Sequence, residues 1–241
     1  RDSVASRGLG DVYKRQPRDQ FATEFENIVR NRRATRVYAD EPLDDADVRR
    51  LLELSLEAPS AFNIQSRAIV RIEDPEVRQQ VVEAAGGQKQ VASAPLLLAF
   101  IGEPTGWKRG IPRLVETNKA TGLWDEVAAA EREASMTSFH EAREKKGLSR
   151  EFAIRDAMIA ASFAMVTASA FGWASSPMTG FSEQKVKEAI GAGDTDVAVA
   201  LLLAIGVPGE FPAHPGRFEF EQRAYTDRYD CLLYTSPSPR D

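Results

Sequence analysis

Apolar positions recur along the chain with two periods, and the switches between those periods mark its elements. Phe21, Phe25, Ile28 and Val29 repeat at helical spacing around Thr23-x-x-Glu26, which reads as a capping box. A connector over 32–42 is stopped by Pro42. Asp44 or Asp45 then caps a second helix, whose Val48, Leu51, Leu52 and Leu56 form one apolar stripe ending before Pro59. Ala68-Ile69-Val70-Arg71-Ile72 reads as a strand. Asp74 and Pro75 occupy the favoured N-cap and first positions of a third helix, which Gly86-Gly87 closes. Residues 96–101 are continuously apolar, as in a central strand buried on both faces.

The stretch 103–150 holds Trp107, Trp124 and a charged helical pattern from about 124 to 146, and it reads as an exposed excursion or a wall over a site. His140 reads there as a solvated helix position. Residues 152–171 form a long apolar helix stopped by Gly172. Its uncharged part, 157–171, falls short of the roughly 18 or more residues of a membrane span, so a core or subunit-interface helix is expected. Trp173 to Phe181 carries breakers and reads as a loop, Ser182 as a cap, and 196–206 as an apolar strand. Helices thus interrupt three buried strands, with neither a regular βαβ repeat nor a post-strand G-x-G-x-x-G. The pattern predicts an α+β fold with helices on both faces of a mixed sheet.

Composition narrows the classes. At 241 residues, 43% hydrophobic and 28% charged, the chain is that of an ordinary globular protein, and its net charge of −5 argues against nucleic acid as the main partner. One cysteine excludes an intramolecular disulfide framework, and one cysteine with two histidines argues against a His/Cys zinc site. A basic start followed by an apolar run is not seen, so a reducing cytoplasm is the expected compartment, with no membrane partner. Residues 1–16 and 231–241 lack periodicity and resemble translated adapter read-through. Setting them aside leaves one domain over 17–230.

Chemistry concentrates in two segments. Arg32, Arg33 and Arg36 place three guanidinium forks within five residues, which suits a phosphate. Ser60, Asn63 and Gln65 offer a hydroxyl and two carboxamides that can read the edge of a polar heterocycle. Together they point to a mononucleotide-like cofactor. Taken singly, the first reads rather as a solvated helix end and the second as ordinary turn chemistry.

Four motifs in order, Arg32-Arg33-x-x-Arg36, Ala58-Pro59-Ser60-x-x-Asn63-x-Gln65, Gln88-Lys89-Gln90-Val91-x-x-Ala94-Pro95 and Ser176-Pro177-Met178-x-Gly180-Phe181, resemble the FMN-dependent nitroreductase family. The resemblance implies a homodimer of α+β subunits, each a mainly antiparallel sheet in a three-layer sandwich, with FMN in a groove at the subunit interface. It also implies hydride transfer from NADH or NADPH to flavin N5, then reduction of a nitroaromatic, quinone or flavin acceptor in a ping-pong cycle. No protein residue acts as catalyst in that scheme. By resemblance, Arg32 and Arg33 hold the phosphate and ribityl end, Arg36 lies by flavin N1 and O2, and Arg217 is a late phosphate contact. Ser60 and Asn63, supported by Gln65, reach FMN from the other subunit. Gln88 sits at the flavin edge, and the backbone of Thr179 and Gly180 faces N5 and O4. Ser66-Arg67 stands where the family often has Pro followed by an aromatic residue. The alternatives are other flavin chemistry on the same scaffold, such as reductive dehalogenation, a non-enzymatic flavin-binding redox module, and a flavin-free α+β domain.

Overall fold

The computed structural model describes residues 18–229, so the two end segments set aside above lie outside the described residues. Helix α1 (Arg18–Asn31) is already under way at Arg18, and Thr23 Oγ1 donates to Asp19 O at 2.7 Å from the second turn. The expected capping box is therefore corrected: Thr23 back-bonds within the helix instead of starting it. Helix α2 (Asp45–Leu56) and helix α3 (Pro75–Ala84) do begin at the foreseen caps. Asp44 accepts from Ala46 N and Asp47 N, and Asp74 from Glu76 N and Val77 N.

Strands β1 (Arg67–Arg71), β2 (Leu96–Gly102), β3 (Ala174–Met178) and β4 (Ala198–Gly206) form one sheet in the order β1-β2-β4-β3, with every neighbouring pair antiparallel. The expected mixed character reduces to an isolated parallel bridge between Ala34 and Ser175. Strand β3 corrects the loop expected at 173–181. Among the four strands it pairs only with β4, so Pro177, opposite Leu203, sits on an edge strand that tolerates a missing N–H.

The period of two in β2 and β4 builds the layers. Leu96, Leu98 and Phe100, with Leu201, Leu203 and Ile205, pack against α2 and against Ala157, Ala160, Ala161, Ala164 and Ala168 of α7 (Ser149–Ala170). Leu97, Ala99 and Ile101, with Leu202 and Ala204, face α3, α4 (Lys89–Ser93) and α8 (Glu183–Ala189) through Val81, Ala84, Val91 and Val186. Each large side chain so buried contributes about 1.5–3 kcal/mol. The alanine stripe lets α7 approach the sheet so closely that a Cβ on Gly102 would lie 2.7 Å from the Ala153 backbone. By length and composition alone α7 could cross a bilayer, but its alanine face is committed to the sheet.

The excursion at 103–150 folds into α5 (Trp107–Ala120) and α6 (Glu126–Lys145), which pack on each other and form a third core around Ile64, Trp107, Ile111 and Met136. His140 is not solvated. It is buried, stacked on Trp107 with ring centroids 5.5 Å apart, and edged by Phe62, Phe139 and Phe152. Trp107 and Phe62 lie far away in sequence, which is why helix periodicity alone could not place it.

Candidate active site

Three groups of polar residues converge on separate parts of this frame. The first begins where α1 ends. Arg33 Nη1 folds back onto the carbonyls of Arg30 and Arg32, at 2.9 Å from the latter. The chain then runs beside β3, with Thr35 N donating to Ser175 O at 3.3 Å. The carboxylate of Glu210 accepts from Arg36 N and Val37 N at 3.0 and 3.2 Å, and Tyr38 Oη donates to Ala204 O at 3.1 Å. Between these strands of chain lies a cavity of about 370 Å³, lined by Arg32, Arg33, Thr35, Trp173, Glu210 and Phe211 among others.

Arg32 lines this cavity, and its Nη1 is buried with no hydrogen-bond partner among the described residues. Burial first, and then the neighbouring charges of Arg217 and Arg33, lower its pKa. A buried, unpaired guanidinium nitrogen next to two further cations is a site built for an anion. His214 belongs to the same group: its Nδ1 accepts from Gly216 N at 2.9 Å, and after desolvation the charges of Arg33 and Arg217 push its imidazole pKa down.

The second group lies past the far end of β3. Gln88 Nε2 donates to Gly180 O at 3.1 Å, and Gln88 Oε1 accepts from Gln90 Nε2 at 2.8 Å. Both ends of the Gln88 amide are thus engaged with protein, and their effect is to hold the turn at Thr179 and Gly180. That turn is exposed, and a Cβ on Gly180 would meet nothing within 4 Å.

The third group is the 60–65 loop. Ser60 Oγ accepts from Gln65 N at 3.0 Å, and Asn63 Oδ1 accepts from Gln65 Nε2 at 3.2 Å. Phe62, Asn63 and Gln65 all have left-handed φ, at 54°, 59° and 57°. Such residues cost about 1–3 kcal/mol each and persist only where the surroundings over-determine them. The surroundings here are specific. Arg67 is buried and donates to the carbonyls of Leu56, Ala58 and Pro59, and buried Asp156 on α7 accepts from the Ala61 backbone. Burial raises the Asp156 carboxyl pKa, which Arg67 and the Ala61 N–H partly oppose. Phe62 is edged by Phe139 at 5.0 Å.

The structure therefore brings Arg32, Arg33 and Arg217 together, and Gln88 with Thr179 and Gly180. Arg36 is tied by its backbone to Glu210 beside the first cavity and is exposed. Ser60, Asn63 and Gln65 are not joined to the arginine cavity within one chain. Asn63 and Gln65 line a second cavity of about 560 Å³ with Glu103, Arg109 and Arg113. The sequence reading missed Arg67, Asp156, Glu210 and His214. The visible signals were an arginine at the start of the strand Arg67–Arg71 and an aspartate at the head of the long uncharged run of α7. Nothing in the irregular 208–229 segment marked the other two.

Comparison with known proteins bears on this frame. A profile of the Nitroreductase family matches residues 29–207. MhqN of Bacillus subtilis, whose name provisionally reads NAD(P)H nitroreductase, is 30% identical over 184 residues, covering 76% of this chain and 88% of that protein. The crystal structure of ydfN from Bacillus subtilis, provisionally a nitroreductase, superposes with a TM-score of 0.75 at 28% identity, covering 82% of this chain and 95% of that one. A provisionally assigned nitroreductase from Exiguobacterium sibiricum, solved in complex with FMN, shares the fold with a TM-score of 0.70 at 22% identity, covering 81% and 93%. With the expected α+β sheet and its two helical faces in place, the chain belongs to the nitroreductase family of oxidoreductases.

Proposed function

We propose that the protein is an FMN-dependent oxidoreductase working as a homodimer in a reducing cytoplasm. On this reading 17–230 is its single domain, NADH or NADPH the donor, and a nitroaromatic, quinone or flavin the acceptor. The observation that carries the proposal is that Arg32 and Arg33 line one cavity, with the Nη1 of Arg32 buried and unpartnered among the described residues and within the electrostatic reach of Arg217. A phosphomonoester there satisfies the orphaned donor and relieves the mutual repulsion of the cations. FMN, when bound, would supply the two-electron redox chemistry between nicotinamide and acceptor.

The chain's own residues bind and orient. Arg32, Arg33 and Arg217 hold the phosphate end. Arg36, a planar cation, would stabilise negative charge at the pyrimidine edge of the ring. Gln88 fixes the turn at Gly180, whose open surface admits a ring without steric conflict. Ser60, Asn63 and Gln65 close the site from the other subunit. The separate location of their loop supports that reading, as does its strained, heavily braced backbone. Support for the dimer comes from the apolar exposure of α1, where Phe21 is 59% and Phe25 49% exposed, and of α7, where Phe163 is 42% exposed.

The test is an anaerobic absorbance titration of the purified yellow protein with each nicotinamide. Bleaching of the flavin band at one equivalent of NADH or NADPH is expected. Bound FMN that neither nicotinamide bleaches would overturn an enzymatic role in favour of a redox module.

A further inference from the structure

The cavity beside Asn63 and Gln65 has a charge character of its own. In a chain of net charge −5, it gathers three guanidiniums, Arg67, Arg109 and Arg113, against the single carboxylate of Glu103. Their situations differ. Arg67 is buried, its Nη atoms spent on the carbonyls of Leu56, Ala58 and Pro59, so it contributes field and no free donor at those positions. Arg109 Nη2 is paired with Glu103 Oε1. Arg113, one turn further along α5 on the same face, makes no ion pair among the described residues and is exposed at the cavity mouth. A planar fork left free beside two carboxamides and a buried positive charge recognises a carboxylate, sulfonate or phosphate.

We infer that Arg113, assisted by Arg109, forms an anion subsite that selects co-substrates carrying a negative group. This rests on the reading that the 60–65 loop faces the cofactor held mainly by the partner subunit, because a group beside Gln65 then lies beside the reacting ring. The shared chemistry is an oxyanion attached to a redox-active aromatic. It has two sources, the 2′-phosphate of NADPH or an acidic substituent on the acceptor.

The experiment uses the holo homodimer and Arg113→Gln, with kcat/KM measured in two arms. The acceptor arm compares 1,4-naphthoquinone with 1,2-naphthoquinone-4-sulfonate, using NADH as donor. The donor arm compares NADPH with NADH, using the neutral quinone. The substitution is expected to lower kcat/KM about tenfold for the anion-bearing member of one arm, as befits loss of a hydrogen bond to a charged group. The pair of NADH and neutral quinone is expected to stay within about twofold. A loss confined to the sulfonate assigns the subsite to the acceptor, and one confined to NADPH assigns it to the donor. Arg113→Lys restores part of the discrimination, and Glu103→Gln, by releasing Arg109, strengthens it. Calorimetric binding of 1,5-naphthalenedisulfonate gives a readout independent of turnover and is expected to weaken in Arg113→Gln. An equal effect on charged and neutral partners, or unchanged binding of the disulfonate, overturns the subsite. Failure of both nicotinamides to bleach the parent protein would instead overturn the oxidoreductase reading, while the disulfonate binding still decides the subsite.

Discussion

Arg32 keeps one guanidinium nitrogen buried and unpaired at the end of a helix, and Arg36 stands four residues on with its backbone tied to Glu210. The two therefore separate in role. Arg32→Ala is expected to weaken FMN binding by about 1.5–3 kcal/mol, the range for a hydrogen bond to a charged group. Arg36→Ala is expected to lower the flavin midpoint potential more than the affinity. Equilibrium dialysis and redox titration of both variants check this, and equal effects would refute the division. His140 gives a different kind of test. Burial, and then Arg143, depress its pKa below the ordinary 6.5, so the folded state binds fewer protons than the unfolded state as pH falls. Its contribution to stability is full above about pH 6.5 and is lost as pH drops from there to the depressed folded value. Asp156, with a raised pKa, contributes with the opposite sign, so the informative quantity is a difference. Unfolding free energy measured at pH 7.5 and 5.5 is expected to fall less in His140→Phe than in the parent protein.

At the scale of elements, the 60–65 loop is a rigid part pressed between α5 and α7. Gly110 on α5 makes this possible, since a Cβ there would lie 2.7 Å from Ile64 Cγ2 and 2.8 Å from Ile64 O. Gly110→Ala must move backbone rather than a flexible side chain end, and overpacking of this kind costs about 1–3 kcal/mol. The expected result is a lower thermal midpoint together with weaker FMN binding, because the loop shifts. A variant with lower stability and unaltered FMN affinity would separate the loop from the site. The elements also show how much of the fold was legible in the sequence. Strands β2 and β4 declared themselves because both faces are buried and every position is apolar. Helices α2 and α3 did so because Asp44 and Asp74 cap them. Strand β3 did not, since Ser175, Ser176 and Pro177 carry loop chemistry and only the edge position permits them to pair. Within the site, the motifs pointed to Arg32 and Arg33 and the family resemblance to Arg217, and the three do cluster. The bracing by Arg67 and Asp156 depends on long-range contact that periodicity does not encode.

At the scale of the whole molecule, the proposed function requires two chains to share one site. Each chain offers an arginine cavity at one place and a strained carboxamide loop at another, and apolar side chains of α1 and α7 remain exposed. Burying such a surface between copies would unite the halves and tie cofactor retention to dimer formation. The most direct test is complementation. Arg32→Glu and Asn63→Glu are prepared as separate homodimers, each expected to bind FMN poorly, and subunits are then exchanged between them. A shared site predicts that the mixed dimer carries one intact site, with Arg32 from one chain and Asn63 from the other, and recovers one tightly bound FMN that NADH or NADPH bleaches. Mixed dimers that retain no more FMN than either parent would contradict it.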